Sequence, residues 1–276
     1  VIFFTFSNAS PNMILIIFAL VLTVTVIIPL IYLLVNTFQI HRGETFLGKV
    51  GSLTIEHWID VMFTEKYDYS KSVFWEPLKN SILMSLVSCF IAVFVGGGIA
   101  FLITRTDFPA KKFISTVFVF PYIMPSWSIA MFWENFFKNS KNLVGIQAQT
   151  GMLQALTGLA VPESLVYGFW PCALCLGIHY APFAYILIGG ILRNMDANLE
   201  EAATILKASR FKILRRITLP IVAPALISTI LLVFASSISS YTVPHFLNAN
   251  GSFNSISITM RSMLTTGQKG KGYVIA

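Results

Sequence analysis

The stretch from Asn198 to Pro220 reads Asn-Leu-Glu-Glu-Ala-Ala-Thr-Ile-Leu-Lys-Ala-Ser-Arg-Phe-Lys-Ile-Leu-Arg-Arg-Ile-Thr-Leu-Pro and separates two long apolar segments. Asn198 and Glu201 have the spacing of a capping box, in which each side chain bonds a free amide at a helix start. Ser209 is a predicted cap of a second helix. The stretch therefore predicts two short helices joined by a tight turn, with Pro220 opening the apolar segment that follows.

Apolar segments make up most of the chain outside this stretch. Of the 276 residues, 55% are hydrophobic and 11% are charged, whereas soluble domains average roughly 25% charged residues. A membrane-spanning helix needs about 20 apolar residues. Five stretches qualify, which predicts an all-α, polytopic membrane protein with spans at approximately 13–38, 78–104, 113–136, 166–192 and 221–247.

The two ends of the chain indicate a fragment. It begins at Val1 without an initiator Met, and it ends on the apolar run Tyr273 to Ala276, where we expect a sixth span to start. Residues 1–276 are interpreted as one transmembrane domain. Within it, Pro29 is expected to kink the first span, and the run Gly96 to Gly98 is expected to let another helix approach the second span closely.

Basic residues predict the orientation in the membrane. Nine Lys or Arg lie in 104–112 and 193–219, whereas the longer connections 39–77 and 137–165 together hold six. The positive-inside rule places the first pair of connections in the cytoplasm, with the N-terminus on the same side. The net charge of +7 is then explained by topology, so a nucleic-acid partner is not expected.

The cytoplasmic connection 193–220 carries the first set of candidate residues. Its small and apolar side chains form a knob that nothing else in the chain is expected to cover, which implies a cytosolic partner. The candidate residues of this connection are Glu200, Glu201, Ala202, Ala203, Leu206, Lys207, Ala208, Ser209, Ile217, Leu219 and Pro220.

The spacing in this loop resembles the signature of the permease subunits of binding-protein-dependent ABC importers. That signature is Glu-Ala-Ala, three residues, Gly, nine residues, then Ile-x-Leu-Pro, and here it runs from Glu201 to Pro220 with Lys207 at the glycine position. The resemblance implies that the connection 193–220 is a coupling loop, whose coupling helix docks on a cytosolic ATPase dimer. It also implies an extracytoplasmic solute-binding protein, a second permease half and a location in the bacterial cytoplasmic membrane.

Weaker motifs resemble the ferric-iron-type branch of that family. They are Asn80-Ser81, Arg105 to Pro109, Pro121 to Pro125 and Tyr241 to Pro244. The resemblance implies ferric iron as the first candidate substrate, with a polyamine, a phosphonate or a sugar as alternatives. The second half is either a fused copy in the same protein or a separate subunit.

Polar residues within the spans are candidates for lining a translocation path, because such groups are costly in hydrocarbon unless they face a cavity or a partner. A simpler interpretation is that the hydroxyl groups only bond their own helix carbonyls. The candidates are Asn80, Tyr122, Ser126, His179, Ser236, Ser237, Ser240 and Tyr241.

The sequence offers no pattern for chemistry of its own. It contains no Gly-x-x-x-x-Gly-Lys-Ser/Thr loop, so ATP and Mg²⁺ are expected on the partner and no bound cofactor, metal or catalytic residue is predicted. His179 and His245 have no second ligand at helical spacing, and Cys172 and Cys175 have the spacing of a redox dithiol but are interpreted as packing residues. An ion-coupled carrier or channel is the main alternative function; a membrane-embedded enzyme would need paired ionisable groups.

Overall fold

The computed structural model describes residues 11–107, 109–139, 150–196, 198–248 and 253–276. These divide into two compact units, one within Val1–Trp75 and Thr259–Ala276 and the other within Glu76–Ile258. The described residues form helices and no named strand, with one isolated bridge between Gln39 and Leu53. The all-α prediction is confirmed.

Fifteen α-helices lie in the described ranges. In chain order they are α1 Pro11–Leu22, α2 Ile28–Thr37, α3 Glu56–Phe63, α4 Glu76–Arg105, α5 Lys111–Ile123, α6 Ser126–Phe137, α7 Met152–Thr157, α8 Glu163–Val166, α9 Phe169–Asn194, α10 Asn198–Ile205, α11 Arg210–Ile213, α12 Leu219–Ile238, α13 Thr242–Phe246, α14 Ile256–Thr265 and α15 Lys269–Ile275.

Four helical stretches of the described chain are long and apolar enough to cross a membrane: Met13–Thr37, Lys71–Arg105, Glu163–Asn194 and Arg210–Ile238. They correspond to the predicted first, second, fourth and fifth spans. A fifth crossing is made if the bent pair α5 and α6 counts as one span. The predicted start of a sixth span falls in α15 and stays a prediction.

The predicted third span is not one straight helix. Its two halves, α5 and α6, meet at an angle of 98°. Met124 and Pro125 between them are extended, with ψ of 143° and 141°. The residue before a proline avoids the helical region, so Met124 breaks the helix ahead of Pro125. The apolar run is therefore a broken span or a re-entrant loop.

The predicted fifth span is displaced along the chain. Its helix begins at Arg210 rather than at Pro220, and it ends at Ile238 rather than near residue 247. At the end, the Ser239 hydroxyl donates to the Ala235 carbonyl at 2.8 Å, a local bond that competes with regular helix. The short helix α13 then follows, with Pro244 in its first turn, where a proline is tolerated.

Three π-helical turns explain why several prolines do not break their helices. The turns span Thr23–Ile27, Lys71–Trp75 and Leu214–Thr218, and each ends two residues before a proline, namely Pro29, Pro77 or Pro220. A proline ring clashes with the carbonyl four residues earlier, and the wider π turn accommodates it. The first span thus runs without a break through Pro29.

The core of the second unit is the contact between α4 and α9. Ala100 packs with Ala184 and Ile188 in one apolar cluster, and the free, buried Cys172 and Cys175 belong to another. The backbones approach so closely that a Cβ added at Gly96 would overlap the Ala181 carbonyl. The close approach expected at the glycine run is therefore present at Gly96.

The first unit is folded around buried polar groups. The Glu44 carboxylate accepts from the Gly270 amide at 2.9 Å and from the His41 amide at 3.0 Å, and it lies 3.6 Å from His57 Nε2. Lys271 Nζ forms an ion pair with Asp60 at 2.9 Å. These bonds join residues near position 50 to the C-terminal segment of the same unit.

Candidate functional site

The coupling loop begins with α10, whose N-terminus differs from the capping box predicted above. Asn198 lies inside the helix, and its amide donates to Asp196 Oδ1 at 3.0 Å. The Leu199 amide also bonds back to the Asp196 carbonyl at 3.4 Å. Asp196 rather than Asn198 therefore receives the first free amide, and Glu201 stays exposed.

The turn after α10 is a Schellman motif centred on Lys207. The Lys207 amide bonds the Thr204 carbonyl at 2.9 Å, and the Ala208 amide bonds the Ala203 carbonyl at 3.0 Å. Lys207 has a φ of +54°, the left-handed conformation that glycine usually adopts at this position. The turn has kept its geometry despite the lysine, so the strain is carried by Lys207.

Replacing Lys207 by Gly is expected to stabilise this turn. A left-handed conformation costs an L-residue about 1 kcal/mol or more, so amide exchange in α10 should slow about fivefold in the variant. Lys207→Ala is the matched control, because it removes the charge and keeps the Cβ. If the Ala and Gly variants exchange at the same rate, backbone strain at Lys207 is not the cause.

The second helix of the loop is capped as predicted. Ser209 Oγ accepts from the Lys212 amide at 3.4 Å. From Arg210 the helix continues through the π turn Leu214–Thr218 into α12. Because Pro220 does not interrupt the helix, α11 is continuous with the span that follows.

The loop exposes an apolar surface on both sides of its turn. Leu206 is 83% exposed, Ile205 is 80% exposed and Phe211 is 71% exposed. Ala202 is exposed, and Ala203 is half-buried. Ile205 and Phe211 were not among the predicted loop residues, although Ile205 adjoins Leu206 and Phe211 lies two residues after Ser209.

Glu200 is a loop residue whose side chain contacts both α4 and the turn before α12. Its Oε2 lies 3.1 Å from Arg105 Nε at the end of α4, and its Oε1 accepts from Thr218 Oγ1 at 2.7 Å. Sequence reasoning included Glu200 but not Arg105 or Thr218 as members of the site. The sequence signals for Arg105 are its place in the motif Arg105 to Pro109 and its position as the first basic residue after a span.

Some of the predicted path residues meet at the end of α5 and the middle of α9. His179 Nδ1 donates to the Pro121 carbonyl at 3.1 Å. The Tyr122 ring lies 6.0 Å from the His179 ring and stacks on Phe183 at 5.7 Å. Tyr180 packs against His179 with ring centroids 4.8 Å apart, and its hydroxyl lies near Ser236 of α12. In this aromatic cluster His179 is buried, Tyr180 and Phe183 are half-buried, and Tyr122 is exposed.

The other path candidates lie apart from this cluster and make separate contacts. Ser126 Oγ lies 3.2 Å from Thr242 Oγ1, and Tyr241 stacks on His245 with ring centroids 5.0 Å apart. Asn80 donates to the Asn254 carbonyl at 3.0 Å. Two residues of α12 and its end complete the set: Ser237 is fully buried without a hydrogen-bond partner among the described residues, and the Ser240 carbonyl accepts from Ser257.

Side chains that bind metals do not cluster in the part of the chain that is described. No three His, Cys, Asp or Glu residues lie together there. His179 faces the Pro121 carbonyl, and His245 stacks between aromatic rings.

Comparisons with known proteins identify a family and a shared fold. Residues 89–276 match the family described as "Binding-protein-dependent transport system inner membrane component". The galactooligosaccharides transport system permease protein GanP of Bacillus subtilis is 26% identical over 67% of this chain and 44% of its own length. The putative ferric transport system permease protein FbpB 1 of Haemophilus influenzae is 32% identical over 33% of this chain and 14% of its own length.

Other relatives are named as permeases for maltodextrin, sulfate and spermidine/putrescine, and this chain spans about half the length of the first curated relatives that it matches. A crystal structure of a bacterial alginate ABC transporter, in complex with its alginate pentasaccharide-bound periplasmic protein, has the same fold. The TM-score is 0.67 at 15% identity, covering 96% of this chain and 86% of the other. With the family matched over residues 89–276, the chain belongs to the inner membrane components of binding-protein-dependent transport systems.

Proposed function

We propose that this chain is the membrane-spanning permease part of an ATP-driven importer, lying in a bacterial cytoplasmic membrane with its N-terminus in the cytoplasm. An extracytoplasmic binding protein delivers the solute, and a separate cytosolic ATPase dimer supplies the energy. The observation that carries the proposal is the coupling loop, where a Schellman turn at the family's glycine position displays Ile205 and Leu206 to solvent. The basic residues around the loop support its cytoplasmic location.

The mechanism follows from the loop's construction. Leu206 and its apolar neighbours dock in a groove of the ATPase, where their burial from water drives binding. Closure of the ATPase dimer then displaces α10 and α11. Since α11 is continuous with α12, that displacement moves a whole span, and the path through the bundle changes its access. ATP and Mg²⁺ bind to the partner.

The cargo is a small solute whose identity is set mainly by the binding protein. Ferric iron remains a candidate through the match to a ferric permease over 33% of the chain. A carbohydrate is favoured by the match to a galactooligosaccharide permease over 67% of the chain. The cluster of Tyr122, His179 and Tyr180 suits a hydroxyl-rich solute, because it combines aromatic faces with a few polar groups, as small-molecule sites do. The second permease half completes the path.

An uptake experiment separates this proposal from an ion-coupled carrier. The full-length protein, purified with its co-purifying subunits and placed in liposomes, should take up solute only with ATP and the binding protein present. Dissipating the ion gradients with ionophores should leave uptake unchanged. Uptake that survives without ATP and disappears with the ionophores would establish the carrier instead.

A further inference from the structure

One carboxylate joins the coupling loop to two spans. Glu200 lies on α10, Arg105 is the last residue of α4, and Thr218 ends the π turn that leads into α12. Glu200 Oε2 is 3.1 Å from Arg105 Nε, and Glu200 Oε1 accepts from Thr218 Oγ1 at 2.7 Å. One side chain of α10 therefore contacts two other elements at once.

Apolar packing does not hold α10 in this position. None of its described residues is buried. Open cavities of about 600 Å³ and 490 Å³ are lined by Arg105, Glu200 and Thr204 together with other residues. The polar contacts of Glu200 therefore connect α10 to α4 and α12 between two open cavities.

The contact is specific to Glu200 and sheltered from solvent. The Arg105 and Glu200 side chains are 15% and 21% exposed, and Thr218 is 3% exposed. Arg105 Nε and Nη2 are both buried without a hydrogen bond among the described residues, so the contact with Glu200 is an ion pair without hydrogen-bond geometry. Removing one partner of a sheltered charge pair leaves the other uncompensated. The neighbouring Glu201 is exposed and has no such role.

We propose that Glu200 is a positioning residue that transmits the movement of α10 to α4 and α12. The inference rests on the proposed function, since it concerns how force from the ATPase reaches the spans. In this scheme the exposed apolar residues of the loop bind the ATPase, and Glu200 passes the motion on. Loss of Glu200 should then uncouple ATP hydrolysis from transport without releasing the ATPase.

The test uses Glu200→Gln in the complete complex in liposomes. Glutamine keeps the size of the side chain and an oxygen for Thr218, and it removes the charge that pairs with Arg105. We expect the ATPase to co-purify and to hydrolyse ATP within about twofold of the wild-type rate, while solute taken up per ATP falls about tenfold. Amide exchange in α10 of the variant should rise about tenfold, and exchange in α9 should not change.

A charge reversal distinguishes transmission from general damage. Glu200→Arg combined with Arg105→Glu should restore uptake per ATP to within about threefold of wild type, whereas each single reversal should lose it. The matched control is Asp107→Asn, which removes an exposed carboxylate whose oxygen lies 3.6 Å from Lys111. This control should keep wild-type coupling.

The outcomes are separable. Wild-type protein without ATP-dependent uptake contradicts the proposed function. If the wild type takes up solute with ATP and Glu200→Gln takes up as much solute per ATP, the role of Glu200 is overturned and the proposed function stands. Loss of the ATPase from the Glu200→Gln complex also overturns it, because Glu200 would then act in docking. Failure of the double reversal to exceed both single reversals overturns the pairing with Arg105.

Discussion

Replacing Leu206 by Glu should release the ATPase from the purified complex and abolish ATP-driven uptake. Leu206 is 83% exposed at the tip of the coupling loop, so a charged side chain there is tolerated by the free chain. In the docked state the same carboxylate would be desolvated in an apolar groove without a partner, which is unfavourable. An interface residue of this kind contributes about 2 kcal/mol or more, or about 30-fold in affinity.

The measurement is the amount of ATPase recovered with affinity-purified permease at increasing dilution. Leu156→Glu is the matched control, because Leu156 is 72% exposed on α7 and the proposed topology places it on the opposite side of the membrane. The control complex should retain its ATPase. Equal recovery with both variants would show that the tip of the loop is not the docking surface.

Replacing Gly96 by Ala should destabilise the packing of α4 on α9. A Cβ at Gly96 would overlap the Ala181 carbonyl and lie 2.8 Å from the Ala184 Cβ. Backbone atoms cannot move aside as a flexible side chain can, so the helices must separate along a closely packed seam. Overpacking of this kind costs about 1–3 kcal/mol, enough to lower the unfolding temperature of the purified protein measurably.

Thermal unfolding in detergent checks this expectation, with Gly98→Ala as the control. Nothing lies within 4 Å of a Cβ at Gly98, and alanine is a better helix former than glycine by about 1 kcal/mol. The control should therefore unfold at the wild-type temperature or above it. Gly177→Ala gives an independent test, since its Cβ would lie 2.6 Å from the Ile91 Cβ. Equal unfolding temperatures of Gly96→Ala and Gly98→Ala would show that Gly96 does not lie in the seam between α4 and α9.

Much of the fold follows from local sequence, because the backbone N–H and C=O groups of each span must form hydrogen bonds within that span in the hydrocarbon. Hydropathy alone therefore located four of the spans. It failed at the third span, where the two halves have similar hydropathy and the bend is decided by Pro125 and the extended Met124. It also misplaced both ends of the fifth span, because composition reveals neither that a π turn carries the helix past Pro220 nor that the helix ends at Ile238 beside the Ser239 side-chain bond.

The candidate site divides in the same way. Spacing alone identified the turn at Lys207 and the cap at Ser209, since both are decided by neighbouring backbone amides and carbonyls. It could not select Glu200 over Glu201, because the two carboxylates are adjacent and differ only in what lies opposite them. Likewise, the sequence indicated which hydroxyl and aromatic residues were path candidates. It did not indicate which of them would contact one another.

The sequence by itself determined that the chain crosses a membrane, which of its loops is basic, and that one loop carries the spacing of a family. These properties depend on composition and on contacts between residues a few positions apart. Only the tertiary structure decided that Glu200 pairs with Arg105, 95 positions earlier in the chain, and that Gly96 rather than Gly98 lies in the helix seam. Such choices depend on how distant helices rotate and approach one another, and periodicity within a single apolar span does not specify that.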